Sequence, residues 1–187
     1  MPWRRSACSH KPTKNRMVMI MGKIKYIFAW LFILFTAAAI FMFSSQPSEK
    51  SSDVSNSVSE KLFSGEIEKK YSEELNKQYG HELKRETRLK IFNGFVRKNA
   101  HFAIFFLFGI SAYNLMRLYI KNKYYAALTA LGISVLYACS DEFHQLFVEG
   151  RGAGILDVFI DSAGALCGII LFVAVLAAIR KWGKRNV

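Results

Sequence analysis

Three short stretches of this 187-residue chain hold the side chains that could do chemistry. Ser140-Asp141-Glu142-Phe143-His144-Gln145 gathers two carboxylates, an imidazole and an amide. Arg97-Lys98-Asn99-Ala100-His101 brings two fixed cations and a second imidazole. Asp157 and Asp161 stand four apart, which places both on one face of a helix. Arg151 sits between Gly150 and Gly152, in a loop that joins the first of these stretches to the two aspartates.

Three chemistries fit the set His101, Asp141, Glu142, His144, Asp157 and Asp161. Imidazoles with carboxylates can hold a divalent metal such as zinc or manganese. Glu142-x-His144 with a distant His101 is no recognised ligand motif, however, so the sequence alone names neither metal nor cofactor. A carboxylate–histidine pair could instead serve as general acid and base, with Glu142 or His144 as the base. Arg151 would then clamp a phosphate, with Arg97, Lys98 and Gln145 completing the binding set. Asp157 and Asp161 would orient His101 or bind a cation. No activated Ser or Cys nucleophile is evident, Ser140 being an unsupported candidate. In the third chemistry the pocket binds an anionic or zwitterionic ligand without catalysis, the glycines around Arg151 letting backbone amides approach it. The structural alternative is ion pairing that pins helix ends, for instance Arg97 or Arg151 with Asp157. So many titratable groups exceed what helix register requires.

The elements that must position these groups follow from composition. Hydrophobic residues make up 52% of the chain, with 16 Phe, which excludes disorder as its overall state. The net charge is +12, from 26 Lys+Arg against 14 Asp+Glu. In a soluble protein that balance would suggest nucleic acid; here the apolar residues form long blocks with the basic ones between them, and no nucleic-acid partner is expected. Uncharged runs cover 26–43, 102–116, 124–140 and 162–179. A hydrocarbon core of about 30 Å needs about 20 helical residues. The expected fold is therefore an all-α integral membrane bundle of four transmembrane helices, with spans near 24–43, 99–120, 124–140 and 155–179. The first span reads as a retained signal anchor, because its apolar run is too long for a cleaved signal. Cys8, Cys139 and Cys167 make neither a disulfide framework nor a zinc motif, and the last two read as small buried thiols.

Charge sets the expected orientation. The N-terminal flank carries Arg4, Arg5, Lys11, Lys14, Arg16, Lys23 and Lys25, and the turn after the second span Arg117, Lys121 and Lys123. The C-terminal flank adds Arg180, Lys181, Lys184 and Arg185, whereas loop 141–154 has only Arg151. Both termini are expected in the cytoplasm, with residues 1–22 as a poorly ordered basic tail. Loops 44–98 and 141–154 then lie outside. The first of these is an amphipathic helical insertion: Val54, Val58 and Leu62, then Phe63, Ile67, Tyr71, Leu75 and Tyr79, recur at four-residue spacing. Gly80 breaks that stripe, and Leu83, Thr87, Ile91 and Phe95 begin a second. The pair could form a lid or shelf on the membrane face, or a helical hairpin that binds a partner or is merely solvated. Small residues mark the faces that approach one another: Gly164, Ala165 and Gly168 below Asp161, and Ala127, Ala130, Ser134 and Ala138 leading to Asp141. His101 shares its face with Phe105, Phe108 and Gly109. Three helices thus aim ionisable groups at a common outer pocket, and such groups inside a membrane are functional candidates.

Four segments together resemble the VanZ-like family: Phe43-Ser44-Ser45-Gln46-Pro47, Lys98-x-x-His101-Phe102, Asp141-Glu142-Phe143-His144-Gln145-x-Phe147-Val148-x-Gly150-Arg151, and Asp157-Val158-x-Ile160-Asp161-Ser162-x-Gly164. The resemblance covers about residues 24–180; the insertion at 48–96 and the tail at 1–22 depart from the shortest members. It implies a multi-pass protein of the bacterial, mostly Gram-positive, cell envelope, associated with resistance to teicoplanin-type lipoglycopeptides. The implied partners are membrane lipids or lipid-linked cell-wall precursors, with the lipoglycopeptide itself a further candidate. The expected function is to act on or bind such an amphiphile at the outer leaflet. Its alternatives are a non-catalytic binding or shielding protein and, less favoured, a small transporter.

Overall fold

The computed structural model describes residues 12–46, 66–80, 84–149, 152 and 154–185. Among them are five helices and no strand: α1 Pro12–Ser44, α2 Glu66–Tyr79, α3 Arg85–Tyr119, α4 Lys123–Gln145 and α5 Ile155–Arg185. Four are long and apolar enough to cross a membrane, over Ile20–Ser44, Ile91–Tyr119, Lys123–Gln145 and Ile155–Arg185. The shortest of these has 23 residues; at 1.5 Å per residue it reaches about 34 Å and clears the hydrocarbon core. Helices are required here because lipid offers no partner for an open backbone amide. Protein buries only 22–39% of each apolar segment. Phe28, Phe35, Leu136 and Phe159 point outward, as lipid-facing side chains do. Cys139 and Cys167 belong to that outer surface as well, contrary to the expectation of buried thiols.

Successive spans alternate in direction. At one end Tyr26 donates from its hydroxyl to the Leu118 carbonyl at 3.2 Å, and the Trp30 indole donates to the Tyr119 hydroxyl at 3.1 Å. At the other end Phe41 of α1 meets His144 of α4. The turn between α3 and α4 is tied by Arg117, which donates to the carbonyls of Ile120 and Lys121 at 2.7 and 2.6 Å. Asn122 caps α4 by accepting from the Tyr124 amide at 2.9 Å. Lys23, Lys25, Arg117, Lys123, Arg180 and Lys184 therefore collect at one end of the bundle, and the carboxylates of α4 and α5 at the opposite end.

The central helix is α3, which packs against α1, α4 and, most extensively, α5. Small residues make that last contact close. A Cβ on Gly164 would lie 2.5 Å from the Phe102 carbonyl oxygen, and one on Gly109 or Gly168 would collide with the backbone of Ala165 or Phe106. Dispersion and close backbone approach hold such helices together, since lipid tails are as apolar as the side chains they replace. Below the carboxylates, Phe105, Phe108, Ile40 and Ala138 form a buried cluster. Tyr137 stacks on Phe108 at 4.9 Å and donates to the Ala37 carbonyl at 2.8 Å. Thr36 and Ser111 share a buried hydroxyl bond of 3.1 Å between α1 and α3. Ser111→Ala should cost only about 0.6 kcal/mol, because Thr36 keeps its own-helix carbonyl partners. Equilibrium unfolding in detergent checks this, and a loss several times larger would contradict it.

Three boundaries differ from the sequence expectation. Helix α1 starts at Pro12, so residues 12–19 extend the helix of the first span where a poorly ordered tail was expected. In the insertion, Gly80 ends α2 with φ +70°, as its position predicts. The second stripe is no separate element, however: Thr87, Ile91 and Phe95 belong to the first turns of α3. No proline interrupts 85–119, so the helix runs straight into the span. Tyr71 meets Phe92 edge to face at 5.4 Å, and Leu75 is buried, so α2 leans on that extension. Val54, Val58, Leu62, Phe63 and Leu83 lie outside the described residues. Finally, α4 continues past 140 to Gln145, which makes the polar block helical where a loop was expected.

Candidate functional site

That extension of α4 determines the site's geometry. Asp141, Glu142 and Gln145 fall on the same inward face as Ala130, Ser134 and Ala138, and all six are buried. From α5, Asp161 heads the face of Gly164, Ala165 and Gly168, with 1% of its surface exposed. His101 enters from α3 above buried Phe105 and Phe108. The small faces expected to aim these groups inward do so. In α4 the buried set includes Ala126, while Ala127 is only partly buried.

Hydrogen bonds fix the α4 acids. The Gln145 amide donates to Asp141 Oδ2 at 3.0 Å and to Glu142 Oε1 at 3.1 Å. The Gly154 backbone N–H donates to Glu142 Oε2 at 2.9 Å, tying the start of α5 to the end of α4. Asp161 is held differently. Its Oδ2 lies 3.8 Å from His101 Nδ1, too far for a direct hydrogen bond, and neither of its oxygens has a hydrogen-bond partner among the described residues. One ligand atom each from His101, Asp141 and Asp161 lies within 4.8 Å of the others. At the rim Lys98 pairs with Asp157 at 2.8 Å, both partly exposed.

These groups enclose a cavity of about 20 Å³, lined by Arg97, Lys98, His101, Glu142, Gln145, Asp157, Ile160 and Asp161. That volume admits one water molecule or one ion. The structure thus brings together His101, Asp141, Glu142, Gln145, Asp157, Asp161, Arg97 and Lys98. It does not bring His144 to the cavity. That residue lies about 100° round the helix from Gln145, and its ring packs on Phe41 at 4.8 Å. Ser140 is exposed on α4 and does not line the cavity. Arg151 and Gly150 lie outside the described residues. Asp157, expected to point inward with Asp161, stands at the rim instead.

Two parts of the site escaped the sequence reading. Gln145, a candidate binding residue by its place in the sequence, also holds two carboxylates side by side. Its spacing of four from Asp141 and three from Glu142 carries that signal. The Gly154 amide left no signal, because a backbone donor is revealed only by the path of the loop. The arrangement can hold a cation between carboxylates and imidazole, or place Glu142 as a base beside a single water, with Arg97 and Lys98 available to an anionic group. A family model described as VanZ/LLP1 matches residues 28–177. Neither the curated proteins nor the solved structures gave a match.

Proposed function

The chain belongs to the VanZ-like family, and from that premise we propose that it is a cell-envelope membrane protein acting on the headgroup of a lipid or lipid-linked precursor at the outer leaflet. The observation that carries this reading is the cavity itself: buried acids and an imidazole below a rim that holds Arg97 and Lys98. A phosphate-bearing headgroup would exchange for Asp157 as the partner of Lys98, and Arg97 would add a second cation. Glu142, fixed by Gln145 and Gly154, is the candidate general base. Both termini face the cytoplasm in this reading, which the gathering of basic residues at the opposite end of the bundle supports. The insertion between the first two spans then lies outside, and the association with teicoplanin-type resistance would follow from an altered envelope lipid.

One specific observation favours a second reading, in which the pocket binds without reacting. Among the described residues, no Ser or Cys lines the cavity, so it offers no covalent nucleophile of either type. Profiling the lipids of host membranes that express wild type or Glu142→Gln, at matched protein levels, separates the two. The enzyme reading expects a headgroup species that changes with wild type and reverts with the variant. Identical profiles accompanied by unchanged teicoplanin resistance would instead assign a binding or shielding role.

A further inference from the structure

Among the described residues, Asp161 is a buried carboxylate with both oxygens unpartnered. It is 1% exposed, lines the cavity, and has no hydrogen-bond donor on either oxygen among the described residues. A buried carboxylate left in that condition is costly unless a cation accompanies it. Of the two rim cations, Lys98 is engaged by Asp157 at 2.8 Å. His101 stands 3.8 Å away, which suits two groups that face a common ion better than two that bond each other.

We propose that His101, Asp141 and Asp161 bind a divalent transition-metal cation, zinc or manganese, with α3, α4 and α5 each giving one ligand. Their ligand atoms converge within 4.8 Å of one another, and ligands around such an ion stand roughly 3.0–3.5 Å apart, so small side-chain rotations close the site. Two carboxylates and a neutral imidazole match a divalent charge. The imidazole selects against magnesium and calcium, which take oxygen ligands. Gln145 supplies the outer support, since its amide orients Asp141 while holding Glu142. Three protein ligands, one fewer than a closed structural site uses, leave a coordination position open. Glu142 lines the cavity beside His101 and Asp161, within reach of whatever fills that position. The inference deepens the reading of this pocket as the working site and rests on it only for what the ion would do there.

The test reads the metal directly. Full-length protein in detergent is stripped with a chelator, dialysed against zinc or manganese, and its bound metal counted by mass spectrometry. One ion per chain is expected for wild type and for His144→Asn, with calcium and magnesium failing to compete at equal concentration. Asp161→Asn and Asp141→Asn should each weaken binding about 100-fold or more, beyond what loss of an outer-shell partner does. Should those variants misfold, pulsed EPR of the manganese-loaded wild type still decides, because an imidazole ligand imposes nitrogen coupling on the spectrum. No uptake by wild type, uptake indifferent to both aspartates, or no nitrogen coupling would each overturn the site. One bound ion with lipid profiles unmoved by Glu142→Gln would keep the metal and discard the enzyme. A lipid change in a protein that takes up no metal would do the reverse.

Discussion

Gly168→Leu is expected to prevent the folded bundle from accumulating. A single added Cβ at this position already collides with the Phe106 backbone, and backbone cannot rotate aside as a side chain can. Helices α3 and α5 must then separate along the most extensive contact among the described helices. Overpacking a core costs about 1–3 kcal/mol where neighbours can shift; here leucine's further carbons also remove the packing of both helices. The same movement carries His101 away from Asp161, so residual folded protein should have lost its site as well. Gly132→Leu is the matched control, because nothing lies within 4 Å of a Cβ there. Thermal unfolding and the monodisperse fraction in detergent compare the two, and equal behaviour would refute the small-residue account of the α3–α5 interface.

The second large effect concerns charge at constant size. Gln145→Glu replaces the amide that donates to Asp141 and Glu142 with a third carboxylate facing both. An uncompensated buried charge costs about 3–5 kcal/mol. Gln145→Met, of similar length and without charge, leaves two acceptors short of a donor and should cost about 1–3 kcal/mol. Unfolding measurements at neutral pH in the presence of a chelator should rank wild type above Gln145→Met and Gln145→Glu last. If the two variants lose the same stability, shape and not electrostatics fixes this position. The chelator matters because a bound divalent cation would mask part of the added repulsion.

Membrane crossing was legible because it depends on local chemistry alone. A helix that satisfies its own backbone needs only a long enough apolar run, and four such runs are plain in the chain. The inward faces were legible for a related reason. In lipid, small residues mark the places where helices touch, and Gly164, Gly168, Ala130 and Ala138 mark them at helical spacing. Because His101, Asp141 and Asp161 sit on those faces, their convergence was predictable before any distance was known.

Tertiary structure decided what the spacing left open. Helix α4 could end at Ser140 or continue, since Asp, Glu, Phe, His and Gln all tolerate a last helical turn. Only its continuation sets Asp141, Glu142 and Gln145 inward and turns His144 onto Phe41. The second stripe of the insertion merges with α3 for the same reason, because nothing in 85–98 forces a stop. Long-range pairings such as Gly154 with Glu142 and Lys98 with Asp157 depend on where loops bring helix ends. Residue types and local periodicity therefore picked out most of the candidate groups, though not the Gly154 amide. Their separate roles, as floor, rim or bystander, came only from the packing of three helices, because one residue's rotation about a helix axis decides which neighbour a side chain meets.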